Sequence, residues 1–484
     1  MIENFIEKDI IRQVKLTEYL YELKVLSVRE VAKRLDVTFN TVKRDFEKIS
    51  IILEEYIDQM EVDSTTIQLS FISSFSRYDL IKEVYKESKF LRGCSWYLMG
   101  ETNYLTIVEE EFVSVAKAFK IKKRVEEYFK NANIMDEEGN IIENELEYRL
   151  VMMSVWMRCD LLDTIVDSTI YKRVSIFVEQ VLSHLANDYE MNRREYTFLM
   201  LAAYLSLSRK DSKTLVFPED EFNFLKDTMI FNHIKDVAEL VLGENQLSES
   251  EIAFFVSIYR SINLNTNNYL IVNMNYMQKR EIFIESRPKT VKKLIKQIED
   301  EFDANLTNNI LFEKPFMNYL NTLWYNMQNY TVEKHYYLSD SQLAILATLK
   351  EILNQWKEEI HVDYELKFND TSLEKLCSEI ESSLTQKRPR KFAIIIVAED
   401  ELSHVVYREN ISRWLNMDYY MIDNTMYYSL NDVPIYAEEW PHVIICERSL
   451  AFEDSMKTTN LFSISKSTLF EDIKSIFLYI YDWK

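Results

Sequence analysis

A chain of 484 residues is too long for one ordinary core and should divide into about three or four domains. With 47% hydrophobic and 28% charged residues it lies far from the composition of a disordered protein. Its formal net charge of −22 means that the molecule as a whole is repelled by DNA, so any contact with nucleic acid must come from locally concentrated cations.

Only four glycines occur (Gly93, Gly100, Gly139, Gly243), too far apart for a Gly-rich phosphate-cradling loop, and with six prolines they point to a mainly helical chain. Cys94, Cys159, Cys377 and Cys446 form no C-x-x-C pair and read as buried, reduced thiols rather than a disulfide framework or a metal site. No secretory signal and no membrane span are expected, and no cofactor, which places the chain in the cytoplasm.

In "LSVREVAKRLDVTFNTVKRDFEKI" (Leu26 to Ile49), Ser27 is a helix N-cap with Glu30 at capping-box spacing. Val28, Val31, Ala32 and Leu35 share one face, and the small Ala32 suits a close helix crossing. "DVT" breaks the pattern and Thr38 caps a second helix, in which Val42, Phe46, Ile49 and Leu53 form an apolar stripe. Asn40, Thr41, Lys43, Arg44, Glu47 and Lys48 remain outside: short polar side chains come first, to meet base edges, then Lys and Arg to meet phosphates. Ile10 to Lys24 supplies a third helix, and the alternation within Ile57 to Phe71 predicts a wing of short strands. This spacing predicts a winged helix-turn-helix unit over residues 1–74 that binds double-stranded promoter DNA.

A second unit is expected over 75–160. Tyr78 onward reads as a helix ending near Gly93 to Gly100, Thr106 begins a short helix, and Ser114 caps another with Ala118, Ile121, Val125 and Phe129 buried. Lys117, Lys120, Lys122, Lys123, Arg124 and Lys130 place six cations in fourteen residues. "MDEEGNII" (Met135 to Ile142) supplies a turn and a second wing.

Two such units leading into "ENELEYRLVMMSVW" resemble the Mga/AtxA family of virulence and stress transcription regulators from Gram-positive bacteria. The resemblance implies two helical domains similar to the phosphotransferase-system regulation domain, at 161–282 and 283–386, then an enzyme IIB-like domain at 387–484. It implies promoter binding by both N-terminal units, a homodimer formed through the C-terminal domain, and histidine phosphorylation by a phosphotransferase-system phosphocarrier.

The middle of the chain is helical in pattern throughout. Family members carry a phosphorylated histidine near the start of a helix like "EYTFLMLAAYLSLSR", where this chain has Glu195, Tyr196 and Thr197 instead. His335, His233 and His184 are the remaining candidate acceptors; for each, a structural role is the simpler reading, and His184 in "VLSHL" suits helix packing.

From 387 onward, "KFAIIIVA" is a buried strand, "SHVVYRENISRWLN" a helix, "DYYMID", "HVIICER" and "LFSISKS" further strands, and "LFEDIKSIFLYIYDW" a closing helix. The fold class is therefore mainly α and multidomain, ending in an α/β three-layer domain with a parallel sheet. The loop after its first strand, "EDELSH", has acids where enzyme IIB proteins carry a phosphorylated cysteine, so phosphoryl transfer and enzymatic activity are not expected. The competing readings are a phosphocarrier, which would need a nucleophile in that loop, and an RNA-binding antiterminator, which would need a small β-rich N-terminal module.

Overall fold

The computed structural model describes residues 2–142, 144–185, 189–190, 192–210, 215–217, 219–262, 265–266, 269–281, 284, 289–360, 365–385, 392–415, 420–434, 442–451 and 460–482. They divide into two compact units, one of residues 1–300 and 306–383, the other of 301–305 and 384–484.

The first unit opens with α1 (Lys8–Leu23), β1 (Val25–Ser27), α2 (Val28–Arg34), α3 (Phe39–Ile52), β2 (Ile57–Val62) and β3 (Thr66–Phe71). Ser27 caps α2 by accepting from the N–H of Glu30, and Thr38 caps α3 by accepting from that of Thr41. Val42, Phe46, Ile49 and Leu53 are buried as the stripe predicts, each adding roughly 1.5–3 kcal/mol. The strands pair antiparallel in the order β1-β3-β2, with Ile67 and Leu69 of β3 turned into the core. This is the expected three-helix winged unit.

Next come α4 (Arg77–Lys86), α5 (Lys89–Leu98), α6 (Tyr104–Glu111) and α7 (Val115–Asn131). The single helix expected here is two, because Ser88 breaks the run and caps α5 by accepting from the N–H of Leu91. Gly93 lies inside α5, not at its end: a Cβ there would stand 2.9 Å from Cγ2 of Ile121, so its absence lets α5 and α7 cross closely. The short helix begins at Tyr104 rather than Thr106, capped by Asn103. Met135 and Ile141 form an antiparallel bridge, the expected second wing reduced to its minimum.

The helical body runs through α8 (Glu145–Trp156), α9 (Ser168–Leu185), the two-residue β4 (Tyr189–Glu190), α10 (Arg193–Ser208), α11 (Glu219–Lys226), α12 (Met229–Leu242), α13 (Glu249–Ser261), the paired β5 (Asn265–Thr266), α14 (Tyr269–Arg280), α15 (Lys289–Phe302), α16 (Ile310–Thr322), α17 (Asp340–Glu359) and α18 (Asp370–Thr385). Arg149 at the buried centre of α8 donates to Glu145 at 2.8 Å and to both carboxylate oxygens of Glu251 at 2.5 and 2.9 Å. Arg209 donates to the same Glu145, so α8, α13 and the end of α10 share one buried ion cluster. Ser248 and Glu251 have capping-box spacing, but only half of the box is made: Ser248 caps α13, and the Glu251 carboxylate is taken by Arg149.

Between α16 and α17 the chain runs extended from about Thr331 to Ser339 as a strap against three neighbours. Arg158 donates to the Thr331 carbonyl and Arg194 to that of Val332. Glu333 pairs with Arg194 at 3.2 Å and Lys375 at 3.3 Å, and Lys334 with Glu22 at 2.8 Å. His335 points both ring nitrogens at carboxylates, Nδ1 2.6 Å from Glu18 and Nε2 3.5 Å from Glu3. Tyr337 meets Tyr19 edge-on at 5.0 Å and carries the Arg34 guanidinium 3.8 Å above its ring. The strap thereby fastens the winged unit to the body.

In the second unit, β6 (Phe392–Val397), α19 (Glu401–Ser412), β7 (Tyr420–Ile422), β8 (His442–Glu447), β9 (Leu461–Ile464) and α20 (Leu469–Asp482) build a four-stranded, wholly parallel sheet in the order β7-β6-β8-β9. Among the described residues, both helices pack on one face, against Ile394, Ile396, Val443 and Ile445. The other face is covered by turn residues such as Tyr427, Leu430 and Leu450. All four cysteines of the chain are free and buried.

The strap gives a pH prediction. Burial alone would push the His335 imidazole down, but the charges of Glu3 and Glu18 outweigh it and hold it up, at about 9. A raised histidine contributes stability that is complete below its unfolded value near 6.5 and lost as pH climbs through about 9. Thermal melts between pH 7 and 9.5 should therefore fall for the wild type. In His335→Gln, which should cost roughly 3–5 kcal/mol by leaving buried carboxylates unpaired, that slope should flatten.

Candidate nucleic-acid interface

The second helix of the first unit is held at a fixed angle by a buried ion pair. Asp45 on the inner side of α3 accepts from Arg12 Nε at 2.8 Å and from Gln13 at 3.4 Å, locking α3 onto α1. The turn before it places Asp36 in the left-handed region (φ 50°), which Asp tolerates better than most side chains, and the Val37 N–H closes onto the Ala32 carbonyl.

On the outer side, Asn40 and Arg44 are exposed and Thr41 and Lys43 half-exposed. The Thr38 and Thr41 hydroxyls lie 2.8 Å apart at the helix start. Lys43 sits 4.9 Å over the Phe39 ring, and neither it nor Arg44 has an ion-pair partner among the described residues. Lys48 differs, being paired with Asp9 at 3.1 Å. Arg29 and Lys33, which the spacing argument did not single out, are also exposed one turn apart on α2 and unneutralised among the described residues. Their signal is the i, i+4 spacing in "VREVAKR".

The wing is not basic. Asp63 at its tip accepts from the N–H groups of Thr65 and Thr66, both at 2.6 Å, and these bonds hold its carboxyl below the usual range. With Asp58 and Glu61 it keeps the strands negative, and the wing contributes no cation of its own.

The second unit departs from expectation. Ser114 does cap α7, accepting from the N–H of Lys117, and Ala118, Ile121, Val125 and Phe129 are buried as predicted. Of the cations, however, Lys122 pairs with Glu126 at 3.6 Å and donates to the Thr102 carbonyl, Lys123 lies 3.9 Å from Glu127, and Lys130 is 2.9 Å from Glu137. Arg124 turns inward: it donates to the Ile6 carbonyl at 3.3 Å and stands 6.0 Å over the Phe90 ring. Arg124 is thus a packing residue that ties α7 to the start of the chain, a correction to its expected phosphate role. Lys117 and Lys120 alone stay exposed without an ion pair among the described residues.

Around them the helix surface is apolar, with Val115 and Phe119 exposed and Phe112 at the preceding turn 94% exposed. Phe112 is left-handed (φ 48°, ψ 47°), where Asp36 stands in the first unit, and a bulky side chain is strained there.

The histidines fare differently from expectation too. His335 is buried between Glu3 and Glu18 and is not presented to a phosphoryl donor; a phosphate there would face two carboxylates. That corrects its candidacy. His233 is half-buried on α12. The His184 side chain lies outside the described residues. In the C-terminal α/β unit His404 is buried on α19 and burial pushes its pKa down. The acidic loop before it is engaged locally: Asp400 caps α19 through Ser403, and the Glu399 N–H donates to Glu447.

No helix among the described residues is long and apolar enough to cross a membrane. Residues 7–63 match the family model of the M protein trans-acting positive regulator (MGA) HTH domain, covering α1 through β2. No curated protein matches the chain.

Relief of the strain at Phe112 is measurable. Phe112→Gly removes a wholly solvated side chain from a left-handed residue, so it should stabilise the protein by about 1 kcal/mol, seen as a raised midpoint in urea titration.

Proposed function

We propose that the chain is a Mga-type transcription regulator that docks α3 of its first winged unit in the major groove of promoter DNA. The observation that carries this is the outer face of α3 within residues 7–63: Asn40 and Thr41 lead, Lys43 and Arg44 follow with no ion-pair partner among the described residues although Glu47 stands one turn on, and Asp45 on the opposite face is bolted to Arg12. Helices that read bases need this division between a rigid inner face and an open outer one. Arg29 and Lys33 supply further phosphate contacts from α2, and Lys117 and Lys120 a smaller set from α7. The rest of the chain comprises two regulatory helical domains, at 161–282 and 283–386, and the α/β domain at 387–484, and it acts in the cytoplasm.

Homodimerisation through the C-terminal domain is supported by the apolar side chains it exposes: Leu402 and Trp414 at α19, Phe470 and Leu478 on α20. Light scattering with and without residues 391–484 tests it: the full chain should run as a dimer and the shortened one as a monomer. A response to sugar phosphotransferase status would have to use a histidine other than His335. After incubation with the phosphocarrier and phosphoenolpyruvate, mass spectrometry should find His335 unmodified.

The DNA reading has a sharp test. Lys43→Ala with Arg44→Ala should weaken binding to a promoter fragment and reduce the salt slope of log K by about one for each phosphate the variant no longer neutralises. Lys117→Ala with Lys120→Ala should do so to a smaller extent, whereas Arg124→Ala should lower thermal stability and leave the slope in place. If the Lys43/Arg44 double variant binds like wild type at every salt concentration, α3 is not the reader.

A further inference from the structure

The turn before α7 repeats the turn before α3. Phe112, two residues ahead of the capping Ser114, is left-handed as Asp36 is ahead of Thr38, at φ 48° and 50°. The Val113 N–H closes onto the Val108 carbonyl at 3.3 Å, as the Val37 N–H does onto that of Ala32 at 2.9 Å. Each capping hydroxyl then accepts from the N–H three residues on, that of Lys117 or of Thr41. Ala118 and Val42, at the next step, are both buried. Helix α7 therefore leaves its turn as α3 does, and residues at equal steps from the two caps occupy equivalent places on the two helices.

What those places carry is different. Two steps from the cap, α3 has Asn40 and α7 has Ala116; at the fifth step they have Lys43 and Phe119, and at the sixth Arg44 and Lys120. Ala116, Phe119 and Lys120 are all exposed, and Val115 and Phe112 extend the apolar surface back to the turn. Phe119 is 57% exposed yet rests against Tyr104, ring centroids 5.5 Å apart, which steadies the ring in its place. Contiguous apolar side chains turned to solvent mark a binding face. Lys117 and Lys120 stand among them with no ion-pair partner among the described residues, so the charge on this face is complementary to an anionic partner that also offers apolar groups.

We infer that α7 selects thymine: Ala116 and Phe119 meet the C5-methyl groups that thymines present in the major groove, while Lys117 and Lys120 hold the flanking phosphates. Every base pair offers hydrogen-bond donors or acceptors in that groove, but its one apolar feature is the thymine methyl, for which Ala and Phe are matching side chains. Where α3 has Asn40, able to bond to a base edge, α7 has only the methyl of Ala116. The two helices thus enter the same kind of groove with different vocabularies, one of hydrogen bonds and one of apolar contacts. The inference rests on the DNA-binding reading and deepens it by naming the base that the second helix distinguishes.

The full-length protein is titrated onto a promoter fragment and onto the same fragment carrying deoxyuridine in place of every thymidine, which removes the methyls and keeps the pairing. Wild type should bind the uracil duplex more weakly, by about fourfold for each methyl it covers. The salt slope should be equal on the two duplexes, since no phosphate contact is lost. Phe119→Ala, an exposed position whose truncation leaves the core intact, should weaken binding to the thymine duplex several-fold and shrink the difference between the duplexes. Equal affinity of the wild type for both duplexes overturns the inference, and that comparison needs no variant at all. A thymine-to-uracil loss as large in Phe119→Ala as in wild type also overturns it, because the methyls are then read elsewhere. If Phe119→Ala lowers the particle mass in light scattering, the face is a contact between copies of the chain and the inference falls. The reading of α3 is separable: equal binding of both duplexes that Lys43→Ala with Arg44→Ala abolishes leaves it standing, whereas binding to neither duplex overturns both.

Discussion

The arrangement of the first unit hangs on one buried carboxylate. Glu18, on the inner side of α1, is wholly excluded from solvent, and a lone charge in that position would be prohibitively costly. It is satisfied from two directions at once: by Arg77 at the start of α4 and by the His335 ring and backbone N–H from the strap, more than 300 residues along the chain. Glu3 approaches the same imidazole from the other side. Three parts of the chain distant in sequence must therefore come together before all of these charges are compensated, so the winged unit is not a bead on a flexible string. Helix α3 inherits that rigidity, since it is fixed to α1 by Arg12 and Asp45.

An acidic chain can present a DNA-binding face only if its carboxylates are kept off that face, and the two N-terminal units differ in how far they achieve this. In the first, Asp45 is turned inward and used as a bolt, while Lys43 and Arg44 stay clear. In the second, glutamates one turn on from Lys122 and Lys123 draw them along the helix, and Arg124 is taken up in packing. An exposed i, i+4 pair is worth only about 0.3–0.5 kcal/mol, so these glutamates weaken what Lys122 and Lys123 could offer a phosphate without cancelling it, and Glu47 does the same for Lys43 in the first unit. What α7 leaves exposed is Lys117 and Lys120 among apolar side chains, Val115 and Phe119.

The helix-turn-helix was legible because its signals are local: caps at Ser27 and Thr38, the small Ala32 and the stripe from Val42 to Leu53 all depend on near neighbours. The parallel sheet was legible for the same reason, as its strands are short apolar runs set apart by helices. What sequence could not give was the direction of side chains that answer to distant partners. Nothing in "KIKKR" distinguishes Arg124, which reaches Ile6, from Lys123, which faces solvent. Nothing near His335 announces Glu3 and Glu18. Glu251 has the spacing of a capping box, but the long-range pull of Arg149 overrides the local one. The capping boxes that are complete, at Ser76 with Asp79 and at Ser339 with Gln342, open helices whose surroundings carry no chemical motif, so spacing alone did not draw the eye to them.

The strap is a better conductor between body and head than a packed apolar interface would be. An apolar contact weakens gradually as surfaces part, whereas the salt bridges and hydrogen bonds of Glu333, Lys334 and His335 are short, directional and unfavourable to leave half-made in a buried setting. Such a segment has few intermediate positions: its partners are engaged or they are exchanged for others. Coupling through such a segment is reciprocal: a change at the body that shifts α1 and α2 carries the same free energy as a shift of α1 and α2 that acts back on the body. Because α3 is fixed to α1 by Arg12 and Asp45, a change at the strap can reach α3 only as a change in where α1 stands.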